Sequence, residues 1–382
     1  MLKTAVGHSN DPDSLEAIHE VLEQCQLSLE GAKPLAGILF AAIHFEHQLI
    51  LDEINAVFPG IELIGGTTDG EVSSGLGFQQ DSLTLMLFCS DDIELYAAAG
   101  RNISQAPVDI AAQTVAAAKA KLSTELKLCI TTPESLTTSA SSILAGLKSA
   151  LGSVPIVGGT TGDQMETQRT YQFYKTEVLT DSVTLLLLGG NLAFSYGVCS
   201  GWNPIGKQSI ITKVEKNIIY EIDEKPALEL YKYYFEEFAA DLAYPLAVFP
   251  PGEEAFFLRA VLTYDADLGS IVVAADVPVG SIVQVTEASQ EDIVSASQKS
   301  FNQAWTNYAG QSPSAALFFS CAWRRFVLGT KTNQEYAAIA ASYPYPIPSC
   351  GFYTYGEISP LSEHGETYFH NTTFVSLLLG SC

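Results

Sequence analysis

Positive charge is scarce in this chain. Its 382 residues include 19 lysines and arginines against 43 aspartates and glutamates, and the formal net charge is -24. Such a potential repels nucleic-acid phosphates and anionic lipid headgroups. We therefore expect neither nucleic acid nor a membrane surface as a partner.

Paired cysteine motifs and long apolar runs are also missing. The seven cysteines are scattered and no CxxC occurs, which argues against a disulfide framework or a structural zinc and for a reducing compartment. No apolar run approaches the ~20 residues of a membrane-spanning helix. The start at Met1–Thr4 lacks the long apolar core of a signal peptide. These absences predict a cytoplasmic protein.

A glycine-threonine motif occurs three times. Gly65–Glu71 reads GGTTDGE, Gly158–Asp163 reads GGTTGD, and Gly351–Glu357 reads GFYTYGE. No lysine follows as GxxxxGK[ST] requires, and no copy forms GxGxxG, so the motif does not indicate a phosphate loop. The first two copies are typical of a turn at a strand end. The third copy departs from them, and there we expect the functional site.

The motif belongs to a longer repeat. Each copy is preceded by strand, helix, strand and helix and is followed by an apolar strand, and Gly159 lies 93 residues beyond Gly66. This pattern predicts an α/β fold of the mixed α+β kind. Repeated strand-helix-strand-helix-strand-strand units would form mixed sheets flanked by helices.

An insertion separates the second and third units. Gly351 lies 192 residues beyond Gly159, which leaves unrelated sequence at about 191–280. We expect an N-terminal domain of two units at 1–215 and a C-terminal domain at 216–382 with the third unit and the inserted segment. The third unit should begin with a strand at 281–285. The insertion should carry a helix at 226–240, since proline suits a first helical turn.

Further motifs accompany the glycine turns. They are Phe58-Pro59-Gly60, Gly201–Gly206 (GWNPIG), Tyr220–Asp223 (YEID), Lys225–Tyr231 (KPALELY), Ser320–Arg324 (SCAWR) and His370–Thr373 (HNTT). Together with the turn at 351–357, and in this order, they resemble the FIST family of signal-transduction sensory proteins over nearly the whole chain.

The resemblance implies a sensor that binds a small ligand and passes its state to signalling machinery. Because the sensory regions use up the chain, it most resembles the stand-alone bacterial branch described as nitric-oxide-sensing haem proteins. That branch implies haem as cofactor and a separate histidine kinase or diguanylate cyclase as partner. The alternatives are a haem-free FIST sensor of amino-acid-like ligands and a protein-interaction module. An open sheet edge would also allow a homodimer.

The third turn supplies most of the candidate binding residues. In neighbouring strands, Arg324 would meet Tyr353 and Glu357 at one sheet edge, where its guanidinium could clasp a ligand carboxylate or a haem propionate. The alternative is a structural Arg–Glu pair. The proposed ligand- or cofactor-binding residues are Cys321, Arg324, Gly351, Tyr353, Tyr355, Glu357 and His370.

Haem iron would need an axial ligand, and the chain has six histidines. His370 lies in a motif of the resembled family and is the first candidate; His44, near a helix start, is the second. Cys321 and Tyr353 are also chemically able to ligate iron. A hydrogen-bonded structural role is the alternative for each histidine.

Catalysis is not expected. Cys321, His370 and Glu357 could be drawn as nucleophile, base and orienting group. However, the sequence has no GxSxG motif and no recognised cysteine-hydrolase signature. Cys321 also ends an apolar strand, where inert buried thiols are common.

Overall fold

A computed structural model describes residues 1–235 and 244–382. The first unit alternates strands and helices and then adds a short hairpin. Helix α1 begins where the Asp13 carboxylate accepts hydrogen bonds from the first amides of the helix. The elements of this unit are β1 (Lys3–Ser9), α1 (Ser14–Leu29), β2 (Ala36–Ala41), α2 (His47–Val57), β3 (Glu62–Thr67), β4 (Glu71–Ser73), β5 (Gly77–Gln79) and β6 (Leu83–Cys89).

The second unit repeats this order. A single 3-10 turn at Ile103–Gln105 precedes its first helix. Its elements are β7 (Ile93–Arg101), α3 (Pro107–Lys119), β8 (Leu126–Pro133), α4 (Ala140–Leu151), β9 (Ile156–Gly159), β10 (Gln172–Tyr174), β11 (Glu177–Leu179) and β12 (Ser182–Gly190).

The third unit is interrupted after its first strand, β13 (Leu192–Cys199). The inserted segment then forms its own strands and one helix before the unit resumes. The inserted elements are β14 (Asn203–Glu215), β15 (Ile218–Ile222), β16 (Lys225–Pro226), α5 (Leu228–Tyr234), β17 (Leu246–Phe249), β18 (Phe257–Arg259), β19 (Val261–Asp265), β20 (Ser270–Val273) and β21 (Ile282–Glu287).

The remainder of the third unit follows the insertion. Two helices and a 3-10 turn at Gly329–Lys331 replace the single second helix of the other units. The elements are α6 (Gln290–Thr306), β22 (Ala315–Cys321), α7 (Ala322–Leu328), α8 (Asn333–Ala340), β23 (Ser349–Thr354), β24 (Glu357–Pro360), β25 (Thr367–His370) and β26 (Phe374–Ser381).

One strand predicted for the third unit is wrong, and one helix predicted for the insertion is described only in part. The strand predicted at 281–285 is β21, which pairs with β14 and β17 of the inserted segment rather than opening the third unit. Strand β13 takes the opening place, because it pairs with β26 as β1 pairs with β6. The helix predicted at 226–240 is α5 over Leu228–Tyr234, and the part of that prediction beyond residue 235 lies outside the described residues.

The three units build three six-stranded sheets of one pattern. Each sheet has four strands of its own unit, with one parallel pair among antiparallel neighbours, and two strands from a hairpin of another unit. The strand orders are β1-β6-β2-β3-β10-β11, β7-β12-β8-β9-β24-β25 and β13-β26-β22-β23-β4-β5. The predicted mixed α+β fold of repeated units is confirmed.

The hairpins are exchanged in a closed ring. The second unit lends β10–β11 to the first sheet, the third lends β24–β25 to the second, and the first lends β4–β5 to the third. Each hairpin pairs with the last strand of the parallel pair, so the backbone groups of that strand are satisfied by another unit. None of the three sheets is therefore completed by its own unit.

Alternation along the strands places one face of each sheet at the centre and the other under helices. Ile38 and Phe40 point into a core shared by the three sheets, whereas Leu39 packs under α1 and α2. In β12, Leu186 and Leu188 face the shared core and Leu185 and Leu187 face α3 and α4. Such strands, buried on both faces, read as continuous apolar runs.

The inserted segment forms a fourth, antiparallel sheet in the order β18-β17-β21-β14-β15-β20-β19, with β16 on β15. Its own core includes Ile211, Ile271, Val285 and the fully buried Tyr231 of α5. Strand β18 lies against β25 of the third unit, where Arg259 donates to the Phe369 carbonyl oxygen at 2.9 Å. The insertion therefore covers the hairpin of the third unit.

The repeated glycine is explained by a close approach between parallel strands. Gly65, Gly158 and Gly351 occupy the same place in the three sheets, facing Leu39, Thr131 and Phe318. A Cβ atom on any of the three would overlap the carbonyl oxygen of the facing residue. The motif therefore serves chain packing in all three copies.

We predict that Gly158→Ala lowers the free energy of unfolding by about 2–3 kcal/mol, because the methyl group must displace a backbone carbonyl. Urea unfolding followed by circular dichroism measures the change. The matched control is Gly75→Ala in an exposed turn, where a Cβ would meet only the Ser73 hydroxyl at 3.5 Å. Equal stability of the two variants would contradict this account of the motif.

Candidate functional site

The exchanged hairpin of the third unit brings two predicted site residues together. Glu357 at the start of β24 pairs with Gly159 of the second sheet on one side and with His370 of β25 on the other. Both side chains are fully buried. The third turn and the HNTT motif thus meet across one hairpin.

The corresponding carboxylate of the first unit is fully hydrogen bonded, and Glu357 is not. The two oxygens of Glu71 accept from the hydroxyls of Thr68 and Ser82. Glu357 Oε2 accepts from the amide and hydroxyl of Thr373 at 3.0 and 2.7 Å. Its Oε1 has no partner at hydrogen-bond distance among the described residues, although the Cys321 thiol lies close enough to this carboxyl to affect its pKa.

Unpartnered polar atoms are concentrated on this hairpin. Nine buried side-chain nitrogen or oxygen atoms in the described part of the chain lack a partner, and four of them lie within residues 357–371. They are Glu357 Oε1, Ser359 Oγ, His370 Nδ1 and Asn371 Oδ1. Since buried polar groups are nearly always hydrogen bonded, such a concentration indicates a place where a ligand or water supplies the missing bonds.

The ring of His370 is held in one tautomer. Its Nε2 lies 2.8 Å from the carbonyl oxygen of Ser359, which can only accept, so Nε2 carries the proton. Nδ1 is therefore left with a lone pair. Burial lowers the pKa of His370 to about 4, with a smaller contribution in the same direction from the charge of Arg259. The imidazole is neutral at physiological pH.

His370 lines a cavity of about 310 Å³ between the third unit and the inserted segment, hereafter the His370 cavity. This volume is at the lower end of the range for small-molecule sites. The third unit and the insertion supply opposite walls. The lining residues are Val198, Cys199, Ser200, Glu254, Ala255, Phe256, Phe257, Leu258, Leu361, His370 and Thr373.

Acceptor groups lie in and behind the lining of the His370 cavity, which also contains two phenylalanines. Glu254 is the charged residue in its lining. Burial raises the pKa of Glu357 to about 8, although Thr373 and Arg324 oppose that shift, so this neighbouring carboxyl holds a proton at pH 7. The free Nδ1 of His370 needs a donor. The arrangement suits a ligand with an N–H or O–H group and an apolar body.

Arg324 is a buried structural residue in this fold. Its Nη2 pairs with Glu335 Oε1 at 2.6 Å, whereas the sequence suggested Glu357 as partner. All five N–H groups are engaged, because Nε also reaches Glu335 and the remaining donors meet the carbonyl oxygens of Ser200, Thr372 and Ile293. The prediction that Arg324 clasps a ligand carboxylate is therefore corrected, since no donor is left for one.

Arg324 nevertheless shapes the His370 cavity indirectly. Its bonds to the Ser200 and Thr372 carbonyls tie together the chain segments that carry two lining residues, Ser200 and Thr373. We therefore assign it a positioning role.

The two predicted tyrosines are also committed to the fold. Tyr353 Oη donates to Glu335 Oε2 at 2.7 Å. Tyr355 Oη donates to Asp163 and accepts from the Met165 amide at 2.7 Å. Neither lines the His370 cavity, and Gly351 is required by the approach of Phe318 described above. These three candidates therefore support the site from a distance.

Of the other two candidates, Cys321 is buried and His44 is exposed. Cys321 is a buried free thiol whose pKa burial raises well above its usual value. The side chain of His44 is 61% exposed, and its Nε2 lies 3.2 Å from Gln164 Oε1. No group of three or more His, Cys, Asp or Glu side chains able to hold a metal ion occurs among the residues that the structure describes.

The sequence matches two neighbouring domains of one family. Residues 36–225 match the FIST N domain and residues 227–360 match the FIST C domain. The chain belongs to the FIST family. FIST domains are sensor domains that bind small ligands in signalling.

The relatives of this FIST chain include uncharacterized proteins. One from Mycobacterium tuberculosis strain H37Rv is 24% identical over 95% of this chain and 96% of its own length. One from Mycobacterium bovis is 23% identical over 97% of each. One from Methanocaldococcus jannaschii is 36% identical over 78 residues, which are 20% of this chain and 15% of that protein.

This FIST chain is also distantly similar to a solved structure. A chorismatase crystal structure aligns with 100% of this FIST chain and 98% of its own chain, at a TM-score of 0.37 and 10% identity. That likeness is too distant to inform function. Within the described residues, none of the helices has the length and apolar character needed to cross a membrane.

The sequence analysis did not identify several residues of this FIST site. Glu335, the partner of Arg324 and Tyr353, lies on α8 with no distinguishing motif. Cys199, Phe256 and Phe257 line the His370 cavity. The GWNPIG motif, which begins two residues after Cys199, was the available signal for one wall.

We predict that Arg324→Ala lowers the free energy of unfolding by about 3–5 kcal/mol, because it leaves the Glu335 charge buried and unpaired. Arg101→Ala is the matched control, since Arg101 pairs with Glu177 at 2.7 Å on the surface and should cost about 1 kcal/mol or less. Urea unfolding of both variants provides the comparison. Similar losses for the two would refute the structural assignment of Arg324.

A second prediction concerns pH. The unfolded chain releases the Glu357 proton near its ordinary pKa of 4.5, and the folded chain releases it at about 8. Between these values, rising pH lowers the free energy of unfolding by up to about 1.4 kcal/mol per pH unit. Glu357→Gln has no proton to lose, so its stability relative to the unmodified protein should increase from pH 5 to pH 8.

Urea unfolding at pH 5, 6.5 and 8 measures this effect. Glu125→Gln, at an exposed position, should show a constant difference from the unmodified protein over the same range. A constant difference for Glu357→Gln as well would show that this carboxyl is ionised in the folded state.

Proposed function

We propose that this FIST chain is a haem-free sensor of a small ligand that binds in the His370 cavity through an N–H or O–H group. The observation that carries the proposal is the concentration of four unpartnered buried polar atoms on residues 357–371, beside a cavity of ligand size. A ligand donor placed against His370 Nδ1 would satisfy one of them.

The chemistry of the His370 cavity favours an amino-acid-like or amine ligand. An ammonium group can donate to the neutral His370 ring and is attracted by the Glu254 carboxylate. Phe256 and Phe257 offer aromatic surface to an apolar part of the ligand. The cavity lining therefore recognises the donor end and the body of such a molecule.

The position of the His370 cavity suggests how binding becomes a signal. One wall belongs to the ring of three sheets and the other to the inserted segment. A ligand held between them favours one packing of the insertion over others, because it binds the arrangements differently. We propose that a separate histidine kinase or diguanylate cyclase responds to that change.

A haem-based nitric oxide sensor is the second candidate. The free lone pair of His370 Nδ1 favours it, since a neutral imidazole can ligate iron. The lining of the His370 cavity argues against it, because it contains Glu254 and neither lysine nor arginine to pair with propionates. The haem-free ligand therefore fits better.

A role without catalysis is part of the proposal. The raised pKa of the buried Cys321 thiol disfavours the thiolate that a nucleophile requires. Glu357 and His370 are likewise held neutral by burial. These environments support binding rather than covalent chemistry.

The test uses Cys199, a half-buried free thiol in the lining, and Cys382, an exposed free thiol elsewhere. We predict that an amino acid or simple primary amine that raises the melting temperature also slows alkylation of Cys199 by iodoacetamide several-fold. Alkylation of Cys382 should be unchanged. Peptide mass spectrometry measures both rates in one sample.

Two histidine variants and a visible absorption spectrum complete the test. His370→Gln should abolish the protection of Cys199, whereas His364→Gln, at a side chain that is 93% exposed, should preserve it. Protection that survives His370→Gln would place the ligand elsewhere. A Soret band after addition of haemin, lost in His370→Gln, would favour the haem-based alternative.

A further inference from the structure

A second cavity of about 410 Å³ lies beside the same hairpin, hereafter the Arg259 cavity. Helix α4 of the second unit, the inserted segment and strand β25 form its walls, and it is open to solvent. Phe257 lines both this cavity and the His370 cavity. The lining residues are Ser141, Leu144, Ala145, Lys148, Lys216, Phe257, Arg259, Asp276, Val277, Pro278, Thr367, Tyr368 and Phe369.

Arg259 is a buried cation that forms no ion pair with a carboxylate in the part of the chain that the structure describes. It is 4% exposed, and four of its five N–H groups donate to the backbone carbonyls of Leu258, Phe369 and Asp276 at 2.9–3.2 Å. One N–H of Nη2 is left to donate to a ligand. Arg324, by contrast, pairs with a buried carboxylate. A buried charge normally has a counter-ion, and an anion bound in the cavity beside Arg259 would provide one.

Three cations line the Arg259 cavity, together with the carboxylate of Asp276 and with Tyr368, whose hydroxyl contacts the carboxylates of Glu253 and Glu366. Lys216 forms no ion pair with a described residue, while Lys148 is paired with Glu366 at the rim. The carboxylate of Asp276 lines the cavity and acts on Arg259 electrostatically, without a direct ion pair between them. Arg259 and Lys216 are therefore the two cations of this lining that form no ion pair among the described residues, in a chain with a net charge of -24.

The remaining walls of the Arg259 cavity are largely apolar. The Arg259 guanidinium lies over the Phe257 ring, with its carbon 4.0 Å from the ring centroid. This stacking fixes the plane of the guanidinium. Leu144, Val277 and Phe369 offer surface to a hydrophobic group. A molecule that fits has a compact apolar body and one anionic end.

We propose that the Arg259 cavity binds a small organic carboxylate, with Arg259 and Lys216 holding the carboxylate group and the apolar walls holding the body. This site is distinct from the His370 cavity and does not depend on the function proposed there. It also uses none of the residues that the sequence singled out.

The test measures binding of benzoate to the full chain by calorimetry at low chloride, with benzamide as the neutral analogue of equal shape. Benzoate should bind at least about tenfold more tightly than benzamide, as expected for hydrogen bonds to a charged group. Lys216→Glu should weaken benzoate binding about threefold or more. Lys33→Glu, at an exposed lysine outside the lining, should leave it unchanged.

Arg259→Gln should abolish benzoate binding, with circular dichroism confirming that the variant is folded. Should it fail to fold, the comparison of Lys216→Glu with Lys33→Glu decides alone. Three results would overturn the proposal. They are equal binding of benzoate and benzamide, equal effects of the two lysine variants, and no detectable binding at a benzoate concentration of about 10 mM. Loss of binding in Lys216→Glu with the His370→Gln variant unaffected would place the carboxylate in the Arg259 cavity.

Discussion

The exchange of hairpins between units is the constraint on which the rest of this structure depends. Each parallel strand pair ends beside a hairpin of another unit. Gly66 of β3 pairs with Gln172 of β10, and Gly159 of β9 pairs with Glu357 of β24. The start of every hairpin is thereby buried, and its polar side chain must find partners inside the protein. Glu71 finds them within its own unit. Glu357 and His370 do so only in part, which is why the third copy, built on the same scaffold, has capacity left for a ligand.

Much of this fold follows from the periodicity of the sequence. Helices α1, α2, α4 and α6 follow the predicted alternation of strands and helices before each turn, because their apolar residues recur at helical spacing. The exchanged hairpins were missed, since strands of three residues such as β10 and β11 carry no readable alternation. The first strand of the third unit was misplaced because the insertion separates β13 from α6. Strand β21 has a similar apolar alternation and stands directly before that helix.

The candidate site was predicted in part for a similar reason. His370 and Glu357 lie in motifs close along the chain, and the hairpin that joins them is local. The partner of Arg324 depends on how α7 and α8 pack. Nothing in the sequence distinguishes Glu335 of the short helix α8 from a solvent-exposed glutamate. The second wall of the His370 cavity comes from an insertion that the first two units lack. Comparison among the repeats could therefore not reveal it.

The charge of one cavity beside β25 acts on a residue that lines the other. The charge of Arg259 helps to lower the pKa of His370. An anion held by Arg259 would offset that field and make His370 Nδ1 a better acceptor, so a donor ligand in the His370 cavity would bind more tightly. Reciprocity requires that the donor ligand strengthen anion binding by the same factor. Because Phe257 separates the two cavities and Arg259 stacks on it, this coupling needs no movement of the backbone. Phe257 of the insertion thus stands between the acceptor His370 of β25 and the cation Arg259, so the two proposed ligands would act on each other through one aromatic wall.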